Sequence, residues 1–444
     1  MRTRRRSCPH GPRAQGGQAI LFTVLLIAVG IALVVYYAAA TPSRASQQLT
    51  KTLPALAQVR EALIGWSATR TPTGALPNAR PGELPCPDMD NDGSEDGSCS
   101  AGAIGRVPWK TLGIPEPKDD AGETLWYAVA GPFRIYNMSS APITSNTLGN
   151  LTVYAESSGT VLTSQAIAVI FAPGQPLGAQ DRNPASSAAC ATTGTTLPRN
   201  RCATNYLEAV GGGNNAQTNG PFVQARATDT FNDRLLFMTN ADLMPAVEQR
   251  VAREMMALLQ AYRTATGVYP WADWADGNSN ANLYSDAYNR ARFPCGTAAP
   301  VAWGSGGTPA LPNWLTNGCG SVTGWPGVIQ YAVARNRLEG SGAGCTTCSA
   351  TSLSLGNSGT ADLCLTSSSP FACNTTTVAS GSADLILITP GAATTSPRGT
   401  WAQSDPEDPI TGYFEDAENS DNDDDSFVIP STANANHDRL FVVR

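Results

Sequence analysis

The sequence predicts an α+β protein: an N-terminal transmembrane helix followed by two similar units, each an amphipathic helix packed on an antiparallel β-sheet with long disulfide-braced loops. Three observations lead there. Residues 19–40 form an uncharged apolar run, ten cysteines lie beyond it, and the rest of the chain matches itself in two halves.

The run from Ala19 to Ala40 is 22 residues long. At ~1.5 Å rise per residue a helix of that length crosses a ~30 Å hydrocarbon core. Arg2, Arg4, Arg5, Arg6 and Arg13 precede it, whereas the nearest cations after it are Arg44 and Lys51. The positive-inside rule then makes residues 1–18 a basic cytoplasmic leader and puts everything beyond 40 across the membrane, with 41–53 as a linker. A secretory signal peptide cut after Ala38-Ala39-Ala40 competes with this reading, but the run exceeds the usual ~7–15-residue apolar core of such peptides.

A chain of 444 residues, 42% hydrophobic, has room for two domains with sizeable cores. Its 42 glycines and 32 prolines favour β-rich units with many turns. Without the five leader arginines, 24 basic residues face 36 acidic ones, a balance of −12. That surface is unsuited to nucleic acid, which needs a basic footprint, and suited to divalent cations. Of 11 cysteines only Cys8 lies in the leader. An even set in an oxidising compartment reads as disulfides: Cys86 with Cys99, Cys190 with Cys202, Cys295 with Cys319, and pairing among Cys345, Cys348, Cys364 and Cys373.

The halves 54–240 and 241–444 share an ordered series of landmarks. Each opens on an amphipathic segment containing Arg-Glu (Arg60-Glu61, Arg253-Glu254), with Leu56, Val59, Leu63 and Trp66 on one helical face and Val247, Val251, Met255, Leu258, Leu259 and Tyr262 on the other's. A Pro-Cys step follows (Pro85-Cys86, Pro294-Cys295), then a Pro/Trp step, then a Tyr-Ala-Val strand beginning at Tyr127 and Tyr331. An apolar strand ending in Pro-Gly comes next (Gly174, Gly391), followed by an arginine (Arg182, Arg398), Tyr-x-Glu (Glu208, Glu415), Phe-Val and Asp-Arg-Leu (Asp233, Asp438). Spacing is kept as well, since Tyr127 to Asp233 is 106 residues and Tyr331 to Asp438 is 107. Landmarks kept in one order predict two copies of one unit.

The leader, the span and these units resemble the type IV pilin and type II secretion pseudopilin superfamily. Gly17 matches the residue before the prepilin peptidase cut, and Gln18 would begin the mature helix. The family's glutamate at the fifth mature position is Phe22 here, a departure that resembles its minor, tip-type subunits. Leu84-Pro85-Cys86-Pro87-Asp88 to Gly93, Val107-Pro108-Trp109 to Gly113, Trp126-Tyr127 and Asn232-Asp233-Arg234-Leu235 are similar to segments of minor-pilin-like proteins. In the second copy Tyr269-Pro270-Trp271-Ala272-Asp273 is the nearer equivalent of the Cys-Pro-Asp site, with Pro294-Cys295 an inserted step. The resemblance implies a single-pass inner-membrane subunit, N-terminus cytoplasmic, with heads in the periplasm or in an extracellular filament. Its partners would be other pilin or pseudopilin subunits met through the N-terminal helix, the prepilin peptidase and the membrane.

The strongest ligand-like cluster is Asp88, Asp90, Asp92, Glu95 and Asp96, arranged around Gly93. Oxygens at positions 1, 3 and 5, glycine at 6 and a carboxylate at 9 match a calcium loop, but Cys99 stands where an EF-hand places its bidentate glutamate. A solvated acidic turn is the alternative. Asp273, Asp276 and Gly277 form a thinner equivalent, and the acidic run Glu415 to Asp425 reads as a solvated face. Cys345-Thr346-Thr347-Cys348 with Cys364 and Cys373 could be four zinc thiolates, although the spacing suits disulfides better. The two histidines, His10 and His437, leave little material for triad or His-metal catalysis. The expectation is therefore a structural subunit and not an enzyme, with a calcium-binding adhesion module outside any filament as the alternative.

Overall fold

The computed structural model describes residues 27–29, 31, 50–70, 79–97, 99–100, 102–135, 143–155, 159–190, 194–272, 290–295, 301–316, 319, 324–338, 352–365, 371–391, 414, 419, 426–429 and 438–444. The first unit begins with helix α1 (Thr52–Thr69) and continues through β1 (Ile104–Arg106), β2 (Trp126–Val129), β3 (Leu151–Ala155) and β4 (Thr160–Ala172). Two short hairpins follow, β5 (Ser187–Ala189) with β6 (Thr196–Pro198) and β7 (Ala209–Val210) with β8 (Gly213–Asn214). Strands β9 (Phe222–Gln224) and β10 (Arg234–Thr239) close the unit. The second unit holds helix α2 (Asn240–Thr266), β11 (Arg290–Arg292), short helices α3 (Asn313–Thr316) and α4 (Trp325–Val328), then β12 (Gln330–Val333) and β13 (Leu353–Gly356). It ends with β14 (Gly359–Leu365), β15 (Ala372–Val378), β16 (Gly381–Ala383), β17 (Leu385–Thr389), β18 (Ser426–Val428) and β19 (Arg439–Val443).

The strand connections repeat. In the first unit β2 and β10 both pair with the second half of β4, β1 pairs with β2, and β3 pairs with the first half of β4 and, in parallel, with β9. In the second, β12 and β19 flank β17, β11 pairs with β12, and β13 pairs antiparallel with β16 and parallel with β18. β16 and β17 thus do together what β4 does alone. The register agrees: Tyr127 faces Ile170 and Tyr331 faces Leu387, while Arg234 faces Ala172 and Arg439 faces Thr389. The hydroxyl of Tyr127 donates to Pro85 O (3.2 Å) and that of Tyr331 to Pro270 O (2.6 Å). Pro270, and not Pro294, is therefore the counterpart of Pro85. The second copy also carries an extra hairpin, β14–β15, which adds to the sheet through a parallel pairing of β14 with β19.

The expected fold class needs correction. The chain is predominantly β-structure with few helices, and its sheets are mixed where purely antiparallel ones were expected. The long connections from β3 to β9 and from β13 to β18 give the chain room to return in the same direction, which a hairpin cannot do. The transmembrane helix, and with it the membrane partner and the single-pass inner-membrane placement, is also overturned. Among the described residues no helix is long and apolar enough to cross a membrane. The two long helices carry charge along their length, Arg60 and Glu61 in α1 and Asp242, Glu248, Arg250, Arg253, Glu254 and Arg263 in α2, as covers for a sheet do. The leader and most of the run 19–40 lie outside the described residues; 27–29 and 31 are helical.

Both helices pack on sheet and on each other. Leu56, Val59 and Leu63 of α1 and Val247, Val251, Met255, Leu259 and Tyr262 of α2 are fully buried or nearly so, and one apolar core runs through both units. Residues 166–172 of β4 and all of β17 are buried, consistent with strands covered on both faces. β10 runs directly into α2, where Thr239 and Asp242 form a capping box and Asp242 also pairs with Arg60 of α1 at 2.8 Å. The N-terminus of α1 is capped from a distance, by the Asp120 carboxylate accepting from Thr52 N (3.1 Å) and Lys51 N (3.2 Å). Among the described residues four disulfides brace the structure: Cys86–Cys99, Cys190–Cys202, Cys295–Cys319 and Cys364–Cys373. The last joins facing residues of β14 and β15, which removes two thiolates from any zinc site; Cys345 and Cys348 lie outside the described residues.

Candidate functional site

The acidic loop hangs between two fixed points of the first sheet. At its start Leu84 N donates to Phe133 O (2.7 Å) and Leu84 O accepts from Ile135 N (3.0 Å), and at its far end Cys99 is tied back to Cys86. Asp88 is then stitched to β1, its N–H to Arg106 O (2.9 Å) and its carbonyl to Arg106 N (2.7 Å). A side chain at Gly105 would put its Cβ 2.6 Å from the Asp88 carbonyl, so the close approach requires glycine there.

From that anchor the Asp88 side chain organises the turn. Its Oδ1 accepts from Asn91 N (2.7 Å) and Asp92 N (3.2 Å), and its Oδ2 from Gly93 N (2.7 Å). Asn91 and Gly93 sit at φ 65° and 87°, the left-handed conformation such a turn requires. Burial raises the Asp88 carboxyl and the nearby Asp92 charge adds to this, while the three N–H donors oppose it. Asp96 accepts from Met89 N (2.5 Å) and so folds back over the turn.

Of the five predicted ligands, the structure brings Asp88, Asp90 and Asp96 together, with one carboxylate oxygen from each within 4.8 Å of the others. Asp92 instead takes Ser94 N (2.6 Å), and it is this N–H that lowers its carboxyl. Glu95 leaves the cluster altogether. Its backbone N–H donates to Thr111 Oγ1 (2.9 Å), and its carboxyl is raised by burial, with Arg70 and the Cys86 N–H opposing and Glu83 adding. Three carboxylates of this kind supply hard oxygen donors for a divalent cation, with backbone carbonyls and water to complete a shell. The processing residues Gly17 and Gln18, the equivalent cluster Asp273, Asp276 and Gly277, and the acidic run apart from Asn419 lie outside the described residues.

Sequence reasoning missed four polar centres. Glu208 and Asp233, noticed only as landmarks, form one carboxyl pair, Asp233 buried and Glu208 half-buried: Glu208 Oε2 accepts from Asp233 N (3.2 Å) and Asp233 Oδ2 from Glu208 N (2.9 Å). Asn215 and Asn419, both fully buried, each hold one strand residue by both its N–H and its C=O. Asp362 is a buried acid between Arg253 and Arg439. The recurrence of Tyr-x-Glu and Asp-Arg-Leu was the available signal for the first pair. Comparison with known proteins returns no matching family model, no matching curated protein and no matching solved structure.

Proposed function

We propose that the chain is a minor pilin- or pseudopilin-like structural subunit of a type IV pilus or type II secretion-like filament, acting in assembly, tip formation or surface contact and catalysing no reaction. The observation that carries this reading is the repeated unit: two copies of one helix-and-sheet head with the same strand connections and the same tyrosine-to-proline hydrogen bond. A double head suits a subunit that caps or contacts over one that must pack between neighbours in a repeating lattice. The leader ending in Gly17 supplies the second support. Intact mass spectrometry of the protein from cells carrying a prepilin peptidase is expected to show a chain beginning at Gln18. A chain beginning at Met1 or at Thr41 would overturn the reading.

A second reading, a calcium-binding adhesion module outside any filament, is favoured by the convergence of Asp88, Asp90 and Asp96. If the cluster holds calcium, the ion stabilises the folded state by an amount that grows with the logarithm of its concentration over Kd, about 2.7 kcal/mol at a hundredfold excess. Thermal unfolding is expected to move down on adding chelator to the wild type and not to move in Asp90→Ala. An identical midpoint with and without chelator would remove calcium from the account.

A further inference from the structure

We infer that Glu208 and Asp233 share a single proton, and that this proton latches the closing strands of the first unit, so that the segment between them opens as pH rises above the ordinary carboxylate range. The geometry is reciprocal. Each residue's carboxylate caps the other's backbone N–H, Glu208 Oε2 also takes Asn232 N (3.0 Å), and Glu208 Oε1 takes Gln180 Nε2 (2.7 Å). Asp233 Oδ2 takes a second donor, Asn215 Nδ2 (2.9 Å), and through the same amide is joined to Val223 of β9. One network therefore fastens the 175–182 loop, the turn before β7, the β7–β8 hairpin, β9 and the start of β10.

Two negative charges cannot occupy that network comfortably. Asp233 is 2% exposed, and its Oδ1 is buried with no hydrogen-bond donor among the described residues. Neither carboxylate has a salt bridge among the described residues. The cation that comes nearest through the network is Arg182, which reaches Glu208 only by way of Gln180 and whose charge is met by Glu123 at 3.1 Å. Arg234, next along β10, turns to Ala225 O. The remaining partners, Asn215 and Asn232, carry no charge. Burial pushes the Asp233 carboxyl well above the ordinary carboxylate range, and the Glu208 charge pushes it the same way. Protonated, Asp233 becomes a donor to Glu208, and the orphaned oxygen is satisfied.

The sign follows from linkage. Between the ordinary carboxylate value and the raised folded value, the folded state holds a proton that the unfolded chain has released, so the stability of this region falls as pH rises through that window. The second copy keeps part of the device, with Asp438 only 7% exposed at the equivalent position and the Asn419 side chain bonded to Val428 of β18 as that of Asn215 is to Val223 of β9.

Amide hydrogen exchange across residues 205–235 of the full chain, corrected for intrinsic base catalysis, reads the opening directly. In the wild type the opening constant is expected to rise by up to about tenfold per pH unit, the signature of one proton. Asp233→Asn keeps the shape of the site and removes the proton, so it is expected to give a flat profile, whereas Glu208→Gln leaves burial alone to hold the proton on Asp233 and is expected to move the rise to lower pH. A flat wild-type profile overturns the latch without recourse to a variant. So does a wild-type slope that survives in Asp233→Asn, or one that keeps its pH range in Glu208→Gln.

Discussion

Asp362→Asn is expected to destabilise the second unit by about 2–4 kcal/mol, measured by urea denaturation, and to loosen the β14–β15 hairpin from α2. Asp362 is 0% exposed, yet it is the meeting point of three elements. Its Oδ2 takes Arg253 Nε of α2 at 2.9 Å, its Oδ1 takes Arg439 Nη2 of β19 at 2.9 Å, and Thr375 of β15 donates to Oδ1 as well. Loss of one partner of a wholly buried ion pair costs ~3–5 kcal/mol, because the other is stranded. Here the arginine side chains are 38% and 31% exposed, so water can take over part of what the acid gave them. The expected figure is lowered for that reason. A change below about 0.5 kcal/mol would show that the Cys364–Cys373 bridge and the strand pairing hold the hairpin without the acid.

The same residue sets a pH dependence opposite to that of Asp233. Burial alone would raise the Asp362 carboxyl, but the Thr375 hydroxyl and the Arg439 and Arg253 guanidiniums outweigh it and hold the group below the ordinary carboxylate value. A group depressed in the folded state contributes fully above its unfolded value, and the contribution is lost as pH falls through the depressed one. Asp362 therefore weakens the fold as pH falls below the ordinary carboxylate value, whereas Asp233 weakens it as pH rises above that value. The two units are expected to respond to pH in opposite directions, the hairpin of the second loosening as pH falls and the closing strands of the first loosening as pH rises.

What could be read from the sequence was whatever has a local period or a fixed spacing. Val247, Val251, Met255 and Leu259 announce the face of α2 because a helix repeats every ~3.6 residues, and Tyr127 and Tyr331 announce their strands because the copies keep register over 106 and 107 residues. The disulfides Cys86–Cys99 and Cys190–Cys202 are local closures of the same kind. Strand direction was not legible. Phe222 and Phe427 have the same neighbours in sequence whether β9 and β18 run parallel or antiparallel to their partners, and only the path of a long loop decides. The acidic loop shows the same limit. Asp90 and Asp96 could be ligands from spacing alone, but whether Glu95 turned in or out depended on Thr111 and Arg70, which no spacing rule connects to it. The apolar run 19–40 satisfied a length and polarity rule, while the helices that the structure places on the core are charged ones.

Asn215→Ala and Asn419→Ala are each expected to cost about 2–4 kcal/mol, a pair of equal losses at positions 204 residues apart in the chain. In each case the side-chain amide acts as a one-residue strand. Asn215 Oδ1 accepts from Val223 N (2.8 Å) and its Nδ2 donates to Val223 O (3.1 Å); Asn419 Oδ1 accepts from Val428 N (3.0 Å) and its Nδ2 donates to Val428 O (2.9 Å). Val223 and Val428 lie in β9 and β18, which pair in parallel with β3 and β13, and the asparagines satisfy the backbone groups those pairings leave over. Both asparagines are 0% exposed. Truncation to alanine leaves a donor and an acceptor unmet in each strand, at ~1–3 kcal/mol apiece before relaxation. The distance from asparagine to valine is eight residues in one copy and nine in the other, so the conserved quantity is the hydrogen-bond geometry and not the spacing, which is why the sequence comparison passed over it. Equal losses in urea denaturation would show that the repeat extends to this energetic detail. A neutral Asn419→Ala beside a costly Asn215→Ala would mean that β18 is held by other contacts and that the two copies share their topology alone.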